Sequence, residues 1–152
     1  MGTDTYTDRI RVFCTAFKLP TVGAETVPRF QQAGHGEALE TLLEVLELEA
    51  EDRHQRRTTR LRRASRLAPG KTWDTFQHNL LPAKLQQQLG ELAQGEFIKQ
   101  GTNVLAFGLP GTGKTHALCA LGHRLVETGH SVLFTPAYRL VQGLLAARRD
   151  LQ

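Results

Sequence analysis

Residues 103–116 read NVLAFGLPGTGKTH, and this stretch decides how the rest of the chain is interpreted. It contains the pattern GxxxxGK followed by Ser or Thr, with Gly108, Gly113, Lys114 and Thr115 at the fixed positions. An apolar run precedes the first glycine and an amphipathic segment follows the last one, which indicates a strand, a loop and a helix in succession. A loop in that setting binds the phosphates of a nucleoside triphosphate.

The residue types in this loop suit phosphate binding. Glycines let the main chain turn tightly and approach a ligand closely, and successive N–H groups then form a concave anion site. Lys114 is expected to reach the β- and γ-phosphates of ATP, and the Thr115 hydroxyl is expected to bind Mg²⁺. The pattern assigns no catalytic residue. The predicted nucleotide-binding residues are Gly108, Leu109, Pro110, Gly111, Thr112, Gly113, Lys114, Thr115 and His116.

The order of elements around the loop predicts an α/β fold. The apolar runs 103–107 and 131–135 have the length and composition of buried strands. The segments 114–127 and 137–150 have helical periodicity. Alternating strands and helices are typical of a parallel sheet, so a P-loop nucleotide-binding domain is expected here.

An all-helical region is predicted to precede that domain. The Ala68-Pro69-Gly70 stop divides the chain into a helical part, residues 1–68, and a partial P-loop domain, residues 69–152. Residues 37–52 hold seven acids and no base, whereas residues 53–66 hold seven arginines and no acid. One continuous helix would turn a leucine stripe into an arginine stripe. The pattern therefore predicts either a break near 51–53 or a basic half that projects from the packed body.

Five arginines of this run fall within an arc of about 120° on a helix. That grouping favours contacts with the phosphates of double-stranded DNA. The alternative is a solvated helix face stabilised by pairs four residues apart, such as Glu49–Arg53 and Asp52–Arg56. The predicted DNA-binding residues are Arg53, Arg56, Arg57, Arg60 and Arg63.

Composition excludes several classes of protein. The 152 residues carry a net charge of +4, which is compatible with a polyanionic partner. No apolar run approaches the ~18 residues of a membrane span, and the N-terminus lacks the apolar core of a signal peptide. Cys14 and Cys119 lie among apolar neighbours, as buried reduced thiols do. A cytoplasmic protein without membrane contact is expected.

The segments 61–76, LRRASRLAPGKTWDTF, and 103–142 resemble the IstB-like transposition ATPases, relatives of the DnaC-type helicase loaders in the AAA+ class. The resemblance covers nearly all of residues 37–150. It implies an AAA+-like P-loop domain with an incomplete parallel sheet. It also implies self-oligomers that assemble on double-stranded DNA and assist an IstA-like transposase. Gly108–Thr115 would be the phosphate-binding loop.

The resemblance leaves three functions open. That family continues through an acidic Walker B strand, a sensor strand and an arginine finger, and no apolar run ending in an acid follows Thr115. ATP binding without independent hydrolysis is therefore expected, so whether the chain is an enzyme stays open. A transposition helper fits best, with a DnaC-like helicase loader and a truncated, non-hydrolysing interaction protein as the alternatives.

Overall fold

The computed structural model describes residues 2–150, and the side chains of residues 6–150 among them. Within those residues the regular structure is entirely helical. The helices are α1 Gly2–Ala16, α2 Pro20–Gln32, α3 Ala38–Ser65, a 3₁₀ turn at His78–Leu80, α4 Ala83–Leu92, α5 Glu96–Lys99, α6 Lys114–Glu127 and α7 Ala137–Asp150.

The chain forms two compact units, Met1–Arg56 and Arg57–Gln152. The division falls inside α3, and the predicted domain boundary after Ala68 stays a prediction. The first unit packs α1, α2 and the acidic part of α3 around one apolar core. Burial raises the pKa of the Cys14 thiol in that core by desolvation, so the thiol stays protonated. The buried core residues are Ile10, Cys14, Val27, Leu39 and Leu43.

Close packing of α1 on α2 depends on Gly23. A Cβ added at Gly23 would lie 2.9 Å from the Cβ of Cys14, which is attached directly to the α1 main chain. Gly23→Ala is therefore expected to lower the melting temperature by about 3 °C, since overpacking of roughly 2 kcal/mol exceeds the helix-propensity gain of about 1 kcal/mol. Circular dichroism on heating measures the change.

Gly143→Ala is the matched control for that substitution. Gly143 is exposed in the middle of α7, and an added Cβ would meet nothing within 4 Å. Helix propensity then acts alone, and the melting temperature should rise slightly. If both alanine variants raise it, the α1–α2 contact at Gly23 is not tight.

The second unit is centred on α6. Most of its C-terminal half is buried, including Cys119, Leu125 and Val126. The segment that follows α3 runs against it: a Cβ at Gly122 would lie 3.0 Å from the Cδ2 atom of Leu67. Further along the same contact, the His123 Nε2 atom donates a hydrogen bond to the Ala68 carbonyl at 3.0 Å. The end of α3 is thereby fixed to α6.

The predicted α/β class is wrong for the part of the chain that the structure describes. Residues 2–150 contain no β-strand, so the parallel sheet of the AAA+-like P-loop prediction is absent from them. The runs 103–107 and 131–135 have no regular structure, and Leu105 and Phe107 are 75% and 87% exposed. An apolar run becomes a strand only where a neighbouring strand accepts its main-chain hydrogen bonds. The Phe134 N–H instead donates to the Ser65 carbonyl at 2.7 Å.

Two further expectations are settled by the helices. α3 is continuous over 28 residues, so the first of the two predicted alternatives, a break near 51–53, does not occur. α7 has the predicted bounds, and its apolar side chains Leu140, Val141, Leu144 and Leu145 are exposed. Between residues 2 and 150, no helix combines the length and apolar character that crossing a membrane requires.

Candidate functional site

The glycine-rich loop turns directly into α6. Gly113 is the N-cap of α6 with a φ of 83°, a left-handed conformation that glycine adopts without strain. Gly108 has a φ of 154°, and a Cβ there would lie 3.1 Å from the Thr112 Oγ1 atom. Neither position therefore accommodates a side chain easily. The loop leaves the N-terminal N–H groups of α6 without acceptors inside the helix, and that end carries the positive pole of the helix dipole.

The Leu109 carbonyl is the centre of the loop's hydrogen bonds. It accepts the Lys114 Nζ group at 2.6 Å and the Thr112 hydroxyl at 2.8 Å. These two hydrogen bonds fold the loop back on itself, and the bond from the lysine ammonium group closes the resulting ring. A positive charge is thus held beside the N-terminus of α6, where both features attract an anion.

A cavity of about 420 Å³ lies next to the loop. The loop and the start of α6 form one wall, and the connector between α3 and α4 forms the other. Its lining combines apolar and polar side chains. The lining residues are Thr75, Phe76, Gln77, Leu80, Leu81, Gly111, Thr112, Gly113 and His116.

The two walls of the cavity are linked by His116. Its Nε2 atom is hydrogen-bonded to the Thr75 hydroxyl at 3.1 Å, and its ring lies 5.3 Å from the ring of Phe76 in an edge-to-face arrangement. His78 also contacts Phe76, with ring centroids 4.9 Å apart. Trp73 packs on His78 at 4.5 Å and is not a lining residue, so of the two connector aromatics only Phe76 borders the cavity.

A magnesium ion would find one protein ligand at the loop. Thr115 is exposed on the first turn of α6. Among the described residues, no group of three His, Cys, Asp or Glu side chains could hold a metal ion. The donor set thus fits an ion that is carried mainly by phosphate oxygens, as Mg²⁺ commonly is.

The five predicted DNA-binding arginines separate into two groups. Arg53 donates to Glu49 at 2.5 Å and stacks over the Phe17 ring at 4.2 Å. Arg56 pairs with Asp52, in agreement with the alternative prediction that local ion pairs stabilise the helix. Both pairs are spaced by four residues, as the sequence predicted for a solvated face.

The remaining three arginines lie in the second unit. Arg57 donates to the Gly129 carbonyl at 3.1 Å, beyond the C-terminus of α6. Nearby, Arg62 pairs with Glu127 at 3.3 Å. Arg60 and Arg63 are exposed and make no hydrogen bond or ion pair within the described side chains. These two guanidinium groups are available to an external anion.

Several cavity residues were missed by reasoning from the sequence. Thr75, Gln77, Leu80 and Leu81 belong to no nucleotide-binding pattern, because the connector reaches the loop only through the fold. The three-residue spacing of Thr72 and Thr75 is compatible with a turn at this place in the connector. The Thr72 N–H donates to the Thr75 hydroxyl at 2.9 Å, a side-chain turn that Thr and Ser favour.

Comparison with known proteins gives consistent matches. The family model of IstB-like ATP-binding proteins matches residues 17–152. The chain is 36% identical over 149 residues to an insertion-sequence ATP-binding protein of Sinorhizobium fredii, covering 95% of this chain and 49% of that protein. It is 37% identical over 111 residues to the corresponding protein of insertion sequence IS21 in Pseudomonas aeruginosa, covering 73% and 42%.

A more distant relative extends the pattern. The similarity to an insertion-sequence ATP-binding protein of Geobacillus stearothermophilus is 28% identity over 145 residues, covering 94% of this chain and 58% of that protein. The chain thus spans about half the length of the curated relatives it matches. No solved structure matches it.

Proposed function

We propose that this chain, which belongs to the family of IstB-like ATP-binding proteins, binds ATP through residues 108–116. One observation carries the proposal. The Lys114 ammonium group is held 2.6 Å from the Leu109 carbonyl, at the N-terminus of α6 and beside a cavity of about 420 Å³. The positive charge, the free N–H groups and the cavity are the parts that a nucleoside triphosphate requires.

The loop residues have separate parts in this proposal. Lys114 exchanges the Leu109 carbonyl for the β- and γ-phosphate oxygens, which are stronger acceptors because they carry charge. The main-chain N–H groups after Thr112 surround the phosphates. The Thr115 hydroxyl is one ligand of Mg²⁺, and the ion neutralises charge between the phosphates when it is bound.

The cavity is proposed to hold the base of the nucleotide. Phe76 offers a ring for stacking, which contributes about 1–3 kcal/mol per base in nucleic-acid complexes. Phe76→Ala should therefore weaken ATP binding by about tenfold. Binding of inorganic tripolyphosphate, which has no base, should stay unchanged. Isothermal titration with both ligands measures the two affinities.

A matched variant is Phe107→Ala. Phe107 is an exposed phenylalanine just before the loop and does not line the cavity. It should leave both affinities unaltered. Equal loss of ATP and tripolyphosphate binding in Phe76→Ala would mean that Phe76 supports the loop and does not contact a base.

The wider function proposed is that of a transposition helper. The named relatives are insertion-sequence ATP-binding proteins, and the free guanidinium groups of Arg60 and Arg63 supply a surface for double-stranded DNA. An IstA-like transposase and further copies of the same protein are the proposed partners. Co-purification of the chain with the transposase tests the partner against a replicative helicase. Retention of the helicase alone would favour a DnaC-like loader.

A further inference from the structure

Arg66 follows directly after α3 in an uncommon main-chain conformation. Its φ is 56°, in the left-handed region. Residues with a Cβ rarely adopt this region, because the Cβ approaches the next carbonyl oxygen. Such a conformation persists only where the surroundings determine it, and such residues cluster at functional sites.

The residues on both sides of Arg66 fix the turn. Ser65 is fully buried, and its carbonyl accepts the Phe134 N–H at 2.7 Å. The Ser65 hydroxyl donates to the Arg62 carbonyl at 2.7 Å and accepts the Leu67 N–H at 3.3 Å. Since the next two residues pack against α6, the main chain of Arg66 has no freedom to relax toward a right-handed conformation.

The side chain of Arg66 is exposed, whereas its main chain is fixed. Among the described side chains it makes no hydrogen bond or ion pair, like Arg60 and Arg63. These three arginines recur every three residues, Arg60 and Arg63 within α3 and Arg66 directly after it. The intervening Arg62 is paired with Glu127. The end of α3 and the residue after it thus carry three guanidinium groups that no part of the described chain neutralises.

We propose that Arg66 is a third phosphate-contact residue, which the strained turn holds in position beside Arg60 and Arg63 to meet the DNA backbone. This inference rests on the DNA binding proposed above. A fixed main chain lowers the entropy lost when the guanidinium group engages a phosphate, which gives the strained conformation a use. Glycine would relieve the strain but remove the contact.

Lys18 provides a matched control within the same chain. It is an exposed cationic residue after α1 with a φ of 60°. Its turn is closed by ordinary helix-end bonds, from Lys18 N–H to the Thr15 carbonyl at 3.0 Å and from Leu19 N–H to the Cys14 carbonyl at 2.8 Å. Lys18→Gly and Arg66→Gly therefore remove the same charge and the same strain at different places.

The experiment measures binding of the full chain to a 30-base-pair duplex of mixed sequence across a series of salt concentrations. Both glycine variants should melt about 2–4 °C higher, because the left-handed strain is relieved. Only Arg66→Gly should reduce the slope of log affinity against log salt, by about 0.9, with about fivefold weaker binding at 0.15 M salt. Arg66→Asn, which tolerates the left-handed region, should bind DNA as weakly, and Arg66→Lys should keep the slope.

The outcomes distinguish the proposed role of Arg66 from the proposed DNA binding by Arg60 and Arg63. If Arg60→Gln and Arg63→Gln reduce the slope but Arg66→Gly does not, the role of Arg66 is refuted and DNA binding by the helix stands. If none of these variants changes the slope, both are refuted. If Lys18→Gly and Arg66→Gly reduce the slope of log affinity against log salt equally, the change comes from net charge alone. That result would also refute Arg66 as a phosphate contact.

Discussion

Lys114→Ala is expected to weaken ATP binding by about 100-fold, corresponding to roughly 2.7 kcal/mol. The lysine is the one cation that the structure places within the loop, where its Nζ group lies 2.6 Å from the Leu109 carbonyl. Without it, the β- and γ-phosphates lose a charge-assisted hydrogen bond, and the Leu109 carbonyl remains directed at the ligand. Titration with a fluorescent ATP analogue measures the loss.

Lys99→Ala is the control for this substitution. Lys99 lies at the end of the short helix α5 and pairs with Glu96 at 2.7 Å, outside the loop and the cavity. Its removal lowers the net charge by the same amount and should leave ATP binding unchanged. Unaltered binding in Lys114→Ala would exclude the loop as the phosphate site.

Combining Arg60→Gln with Arg63→Gln should weaken DNA binding by about 30-fold at 0.15 M salt, because the salt slope falls by about 1.8 when two phosphate contacts are lost. Both guanidinium groups are exposed and unpaired within the described side chains. The effect should be the same for duplexes of unrelated sequence, since phosphate contacts carry no base information. Fluorescence anisotropy at several salt concentrations gives the slope.

The comparison variant combines Arg53→Gln with Arg56→Gln. It removes the same charge from the same helix, but these two arginines already pair with Glu49 and Asp52. Their loss should lower stability slightly, by about 0.3–0.5 kcal/mol per pair, and change the salt slope little. If the two double variants have equal salt slopes, the presence of an intramolecular partner does not decide which arginines bind DNA.

The bounds of two helices could be predicted from this sequence, whereas the strands could not. The predicted helices 114–127 and 137–150 agree with α6 and α7 because helical hydrogen bonds form within one segment. A strand depends on a partner that the segment itself does not specify. The run at 103–107 has strand-like composition, but Leu105 and Phe107 remain exposed without a neighbouring strand.

The candidate site shows the same limit. The spacing of Gly108, Gly113 and Lys114 marked the loop, because local main-chain geometry dictates those residue types. The opposite wall of the cavity, with Thr75 and Phe76, comes from a connector more than 30 residues earlier. Helical spacing placed five arginines on one arc, yet their acidic partners and the Gly129 carbonyl decide which remain free.

The length of α6 has a consequence for the two anionic ligands proposed for the second unit. Its 14 residues span about 21 Å, with the loop at one end and the contacts of Arg57 and Arg62 at the other. That distance exceeds two Debye lengths at physiological ionic strength, where one Debye length is about 8 Å. A triphosphate at the loop and a DNA backbone at Arg60 and Arg63, both proposed above, would therefore be largely screened from each other's charge. Cooperation between the two proposed sites would then require a conformational change and not a direct charge–charge interaction.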